Sequence, residues 1–187
     1  SPDLTVSNST DLNNFVSLIG KYAEKQFTIN NVGNSNLKIT SISTTAPFEF
    51  TGLTLDATTS TLSPGTSMTV TVKFTPTDTG KFSANIVILS DDPLESIKNV
   101  SVSGEGVGGL NINTTALPNN PLNSSYNQTL GVSGGKSPFD WSLISGALPT
   151  GLSLTNSTGV INGTTSVPGK YDFTAQVTDS TGQSASQ

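Results

Sequence analysis

Apolar and polar residues alternate along most of this chain, the period-two signature of strands that bury one face and leave the other wet. Phe27 and Ile29 alternate, then Leu37 and Ile39. The longest row is Met68, Val70, Val72 and Phe74, with Thr69, Thr71 and Lys73 facing the other way, after the turn residues Ser63, Pro64 and Gly65. Phe82, Ala84, Ile86 and Ile88 repeat the pattern after a turn over 77–80, and Val87 and Leu89 predict a far face that is partly covered too. Val100 and Val102 form a short strand before the composition changes. Further on, Phe139, Trp141 and Leu143 alternate, Leu152 and Leu154 follow the turn Leu148-Pro149-Thr150-Gly151, and Tyr171, Phe173, Ala175 and Val177 make a second long row. No stretch carries the helical period. The expected cores centre on Phe27, Val72, Phe74 and Ile86 in the first half and on Trp141 and Phe173 in the second. Trp141 is in phase with two apolar neighbours, which suits packing better than ligand stacking.

The run Gly104-Glu105-Gly106-Val107-Gly108-Gly109 interrupts this pattern and reads as a flexible seam. The chain's 187 residues suit two sandwiches of about 80 to 110 residues better than one. The expected architecture is all-β: two tandem immunoglobulin-like β-sandwiches, 1–106 and 107–187, joined by a short Gly-rich linker that allows a hinge. After Asp179 a turn and a final alternating strand are expected, yet Gln183-Ser184-Ala185-Ser186-Gln187 offers little to bury. The second sandwich therefore reads as short of its last strand. Either the sequence is cut inside a longer protein, the favoured reading, or a neighbouring molecule donates the strand and the chain self-associates through the edge after Asp179.

Two sets of motifs carry family marks. Over about 2–106, Phe27-Thr28-Ile29-Asn30-Asn31-Val32-Gly33, Leu62-Ser63-Pro64-Gly65, Phe74-Thr75-Pro76-Thr77-Asp78-Thr79-Gly80, Ser90-Asp91-Asp92-Pro93 and Val102-Ser103-Gly104-Glu105-Gly106 resemble the bacterial immunoglobulin-like domains related to ASPM and Hydin repeats and to major sperm protein. Over about 109–187, Phe139-Asp140-Trp141-Ser142-Leu143, Leu148-Pro149-Thr150-Gly151-Leu152, Thr158-Gly159-Val160-Ile161-Asn162-Gly163 and Phe173-Thr174-Ala175-Gln176-Val177-Thr178-Asp179 are similar to dystroglycan-type, cadherin-like immunoglobulin repeats of bacterial surface proteins. The resemblance implies modular domains on the surface of a bacterium or archaeon, structural or adhesive in role and partnered by neighbouring domains. It supplies no catalytic residues.

Composition narrows the chemistry further. With no His and no Cys, the usual general base, the thiol nucleophile and most transition-metal ligands are missing. The 13 acidic residues are scattered, and Asp91-Asp92-Pro93 falls where a solvated turn is expected. All basic residues are Lys and the net charge is −5, which argues against nucleic acid as a partner. No apolar run is long enough to span a bilayer. No cofactor is expected; calcium is the one metal worth naming, with Asp140, Asp172 and Asp179 as candidate ligands, set against the lack of a dense acidic loop. A covalent link from Lys73 to an Asn is set against its place on the polar side of its strand. Tyr22 and Tyr126 are the aromatic residues left for sugar stacking. Seven Asn-x-Ser/Thr triplets begin at Asn8, Asn99, Asn113, Asn123, Asn127, Asn156 and Asn162, candidate glycosylation sites that so Asn- and Thr-rich a chain also produces by chance. The functional expectation is a non-catalytic spacer or adhesive module of a larger extracellular protein. Its alternatives are a subunit of a surface filament and an accessory module of a secreted enzyme.

Overall fold

The computed structural model describes residues 1–55 and 60–187. They divide into two compact units, Ser1–Val107 and Gly108–Gln187.

In unit 1 the strands are β1 (Leu4–Ser7), β2 (Phe15–Leu18), β3 (Ala23–Asn31), β4 (Leu37–Ser43), β5 (Phe48–Thr51), β6 (Thr61–Leu62), β7 (Ser67–Phe74), β8 (Gly80–Ser90) and β9 (Ile97–Val107). One sheet runs β1-β3-β7-β5 and the other β2-β9-β8-β4-β6, antiparallel except where β2 joins β9. The alternating rows face each other across the sandwich: Phe27, Ile29, Val70, Val72 and Phe74 from one sheet meet Leu37, Ile39, Ile86, Ile88 and Val102 from the other, all buried. Val87 and Leu89, on the outer face, are half-buried.

The seam at Gly104 is the first correction. Residues 104–107 are not a linker but the end of β9, paired with β2 on one side and, as far as Gly106, with β8 on the other. Glycine is needed there for close approach rather than for flexibility. A Cβ on Gly104 would lie 2.9 Å from Phe15 Cβ and from the Phe74 ring, and one on Gly106 would run into the Asp78 carbonyl. Gly106→Ala is therefore expected to cost about 2 kcal/mol, because the obstacle is backbone that can move only by opening the turn before β8. An unchanged denaturation midpoint would contradict this.

Unit 2 contains β10 (Asn111–Ile112), β11 (Ser125–Thr129), β12 (Val132–Ser133), β13 (Asp140–Gly146), β14 (Leu152–Thr155), β15 (Val160–Thr164), β16 (Phe173–Thr178) and β17 (Ser184–Ser186). The sheets are β11-β15-β14 and β13-β16-β17, with β10 and β12 as a small separate pair. Trp141 is buried with Ile112, Tyr126, Leu130, Ile161, Ala175 and Val177, while Phe173 is half-buried at the end of its strand.

The end of this unit is the second correction. The segment after Asp179 forms β17, which pairs with β16 through Gln176↔Ser186, Val177↔Ala185 and Thr178↔Ser184. The ladder continues to Gln187, whose N–H and carbonyl both bond to Ala175. A strand rich in Ser and Gln holds here because its backbone bonds and a single inward Ala185 are enough, so the signal sought in large apolar residues is absent.

Candidate functional site

Two buried carboxylates stand out among otherwise ordinary surface charges, and each closes a turn after a long strand. Asp92 follows β8 and is 2% exposed. Its Oδ2 accepts the Leu4 N–H at 2.8 Å and its Oδ1 the Leu94 N–H at 2.9 Å. The first bond ties the start of β1 to the β8–β9 turn, across 88 residues of sequence. The Leu4 and Leu94 N–H groups hold this carboxyl below the ordinary carboxylate value, against the opposing effect of burial. The solvated loop expected at Asp91-Asp92-Pro93 is thus half right. Asp91 is exposed and accepts the Lys38 N–H at 2.8 Å, but Asp92 is a buried clamp.

Asp179 follows β16 and does the same work in unit 2. It is 6% exposed. Its Oδ1 accepts the Thr181 hydroxyl at 2.7 Å and the N–H groups of Thr181 and Gln183, each at 2.9 Å. Its Oδ2 accepts the Lys136 N–H at 2.9 Å and the Gln183 side-chain amide at 3.0 Å. Burial pushes this carboxyl upward, but the Thr181 hydroxyl and the three N–H groups outweigh it and hold the value below the ordinary one.

That arrangement bears on calcium. Five donors are already aimed at Asp179, whereas a cation site needs oxygens turned inward. Asp172 lies on the far side of β16, where its exposed carboxylate pairs with Lys170 at 3.3 Å. Asp140 is exposed at the start of β13, opposite Thr178. The register β13–β16 sets Asp140 at the Asp179 end of the sheet and Asp172 beside Phe173 at the other, so the three candidates do not converge. Among the described residues no group of three or more acidic side chains is placed to hold a metal ion.

Asp179→Asn puts an amide donor against the Lys136 and Gln183 donors and is expected to cost unit 2 about 2 kcal/mol. The pH dependence follows from the depressed folded value. The stabilisation is fully present above the unfolded-state carboxylate value and is lost as pH falls through the folded one. Acid titration of the unit 2 unfolding midpoint checks this, since the variant should lose part of the wild-type slope below the ordinary carboxylate range.

The remaining candidates resolve individually. Lys73 meets the Glu49 carboxylate at 2.9 Å and lies 5.0 Å from the centre of the Tyr22 ring. The hydrogen bond and charge of Glu49 raise the pKa of this amine, the opposite of what attack on a carboxamide requires. Tyr22 is exposed, but Tyr126 is a core residue whose hydroxyl bonds the Pro118 carbonyl at 3.3 Å. All seven triplet asparagines are exposed. Asn127 and Asn162 are direct partners across the β11–β15 ladder. The outer face of the β11-β15-β14 sheet carries Ser125, Asn127 and Thr129, then Asn162 and Thr164, then Ser153 and Thr155, every one of them exposed.

Two disulfide-free β-sandwiches in sequence, each with a buried carboxylate bonded within its own unit, make this a tandem immunoglobulin-like chain. Residues 3–105 match the HYDIN/CFA65/VesB-like, Ig-like domain, and residues 109–187 match the Putative Ig domain (He_PIG). The chain belongs to the HYDIN/CFA65/VesB-like Ig-like family through its first unit, followed by a He_PIG domain. No curated protein matches it. Among solved structures it is similar to a Porphyromonas gingivalis W83 protein, at 20% identity and a TM-score of 0.46 over 56% of this chain and 46% of that one. It is also similar to the C-terminal 282-residue fragment of intimin in complex with the intimin-binding domain of its translocated receptor, at 18% identity and a TM-score of 0.47 over 100% of this chain and 62% of the fragment. The VesB protease of Vibrio cholerae matches at 16% identity and a TM-score of 0.35, over 55% of this chain and 31% of the protease. The chain thus spans less than two thirds of the length of each of these proteins.

Proposed function

We propose that this chain is a non-catalytic structural module of a larger extracellular protein, holding its neighbouring domains at a set distance. One observation carries the reading: among the described residues the two buried carboxylates, Asp92 and Asp179, have both oxygens engaged by donors of their own unit, which commits them to holding turns and strand ends. Among the described residues, no helix is long and apolar enough to cross a membrane. The family assignment of both units is in keeping with a modular role.

A spacer acts through position, so an unrelated pair of sandwiches of equal length should replace it. The expected result is a parent protein that keeps its surface assembly after the exchange. Loss of assembly with export and folding intact overturns the spacer reading in favour of a specific contact. The filament alternative drew on an open edge after Asp179, and β17 now occupies that edge. Sizing chromatography of the protein purified from the cells that naturally make it is accordingly expected to show a monomer at every concentration tested, and growth in size with concentration would count against it.

A further inference from the structure

Four of the seven Asn-x-Ser/Thr triplets fall on one sheet of unit 2 and its turns: Asn127 on β11, Asn162 on β15, Asn156 between β14 and β15, and Asn123 just before β11. We propose that the outer face of the β11-β15-β14 sheet is a glycan-bearing face, with N-linked sugars on Asn123, on Asn156 and on one of the pair Asn127 and Asn162.

Three features of the fold point there. First, successive side chains in a strand alternate, so Asn127 and Thr129, and likewise Asn162 and Thr164, stand on the same exposed side with carboxamide and hydroxyl presented together. Among the described residues, no hydrogen bond engages the side chains of Asn123, Asn127 or Asn156, and Asn162 accepts only a long one from the Ser153 hydroxyl at 3.5 Å, whereas Asn113 accepts from Ser133 at 3.0 Å and from Asn111 at 3.1 Å. Second, the outward positions of these strands offer hydroxyls and carboxamides with one valine, Val160, among them, and no charge. Third, β14 is an edge strand that reads Leu-Ser-Leu-Thr, without the Lys, Pro or bulge by which edges usually resist pairing with another chain. Of the other edge strands in the two sheets of this unit, β13 is bulged between Leu143 and Ser145, while β11 and β17 also lack Lys, Pro and a bulge; β14 and β11 are the two that the triplets flank. Sugars on Asn156 and Asn162 would flank the unprotected edge and keep it single.

The Asn127–Asn162 partnership limits occupancy. Directly opposed residues of an antiparallel pair have Cβ atoms about 5 Å apart. A glycan on one leaves no room for a second on the other. The transfer itself needs a lipid-linked oligosaccharide as donor. The bond from the anomeric carbon to the lipid pyrophosphate breaks as the bond from Asn Nδ2 forms, Nδ2 gives up one proton to a base of the transferase, and the lipid pyrophosphate leaves.

The inference rests on the extracellular reading, and one experiment separates the two. Intact cells that make the protein are treated with protease, and the released peptides are weighed. Release of peptides from this chain, with hexose-sized mass additions on those holding Asn123, Asn156 and either Asn127 or Asn162, is the expected result. Release of the same peptides at unmodified mass overturns the glycan face and leaves the location standing; no release from intact cells overturns both. In a triple variant with Asn8→Gln, Asn99→Gln and Asn113→Gln, the intact mass should show at most three glycans. Four would overturn the exclusion between Asn127 and Asn162.

Discussion

Replacing Phe74 with alanine is expected to remove about 3 to 5 kcal/mol from unit 1, a large share of the roughly 5 to 15 kcal/mol that holds a domain folded, and to leave unit 2 untouched. Phe74 is fully buried and is the hub of the aromatic cluster. Its ring centre lies 4.9 Å from Phe48, 5.8 Å from Phe15 and 5.9 Å from Phe82, so one side chain joins β7 to β5, β2 and β8. It also fills the space left open by the missing Cβ of Gly104. Truncation removes the partner of three rings at once, and a backbone pinned by β9 cannot collapse to fill the void. The measurement is well placed, because the chain's one Trp lies in unit 2. Circular dichroism should show the unit 1 transition moved to much lower denaturant while the fluorescence transition of Trp141 stays where it was. A fluorescence midpoint that moves with Phe74→Ala would show the two units to be coupled.

Trp141→Ala should have the reverse effect, and a more complete one. The transfer and cavity cost is again about 3 to 5 kcal/mol, but unit 2 has less to spend. Among the described residues its core holds seven buried hydrophobic residues against sixteen in unit 1. A domain of this size buries proportionally less of its surface, so its margin is small. The indole is also packed closely enough that a Cβ on Gly159 would come within 2.8 Å of it. Calorimetry of the variant should show the unit 1 transition alone. Two transitions at wild-type temperatures would mean that Trp141 is not the centre of this core.

The alternating rows make both sandwiches legible in the sequence, because Met68 to Phe74, Phe82 to Ile88 and Phe173 to Val177 turn an apolar residue to the core at every second place. Short edge elements were harder. β1 offers just Leu4 and Val6, and β2 buries a serine, Ser17, beside Phe15, so neither reaches the length at which a period can be recognised. Gly104 and Gly106 misled for a physical reason: glycine marks both freedom and crowding, and only the neighbours Phe15, Phe74 and Asp78 show which applies. Asp92 and Asp179 were missed as clamps because a turn aspartate in solvent and one beneath a distant backbone N–H have the same sequence. The signal that could have found them is position, since each follows a long apolar row, Phe82 to Ile88 or Tyr171 to Val177, and is followed two residues later by the N–H it accepts.

The parallel join between β2 and β9 decides how unit 1 meets mechanical load. The Leu4 N–H is held beside the β8–β9 turn, whereas Val107 closes the opposite end of β9, so a pull on the two terminal strands runs along their axes. Pulled lengthwise, the four facing positions from Phe15↔Gly104 to Leu18↔Val107 must slide past one another together; they cannot be unzipped one at a time. A lengthwise load on β2 and β9 therefore breaks these four positions in shear.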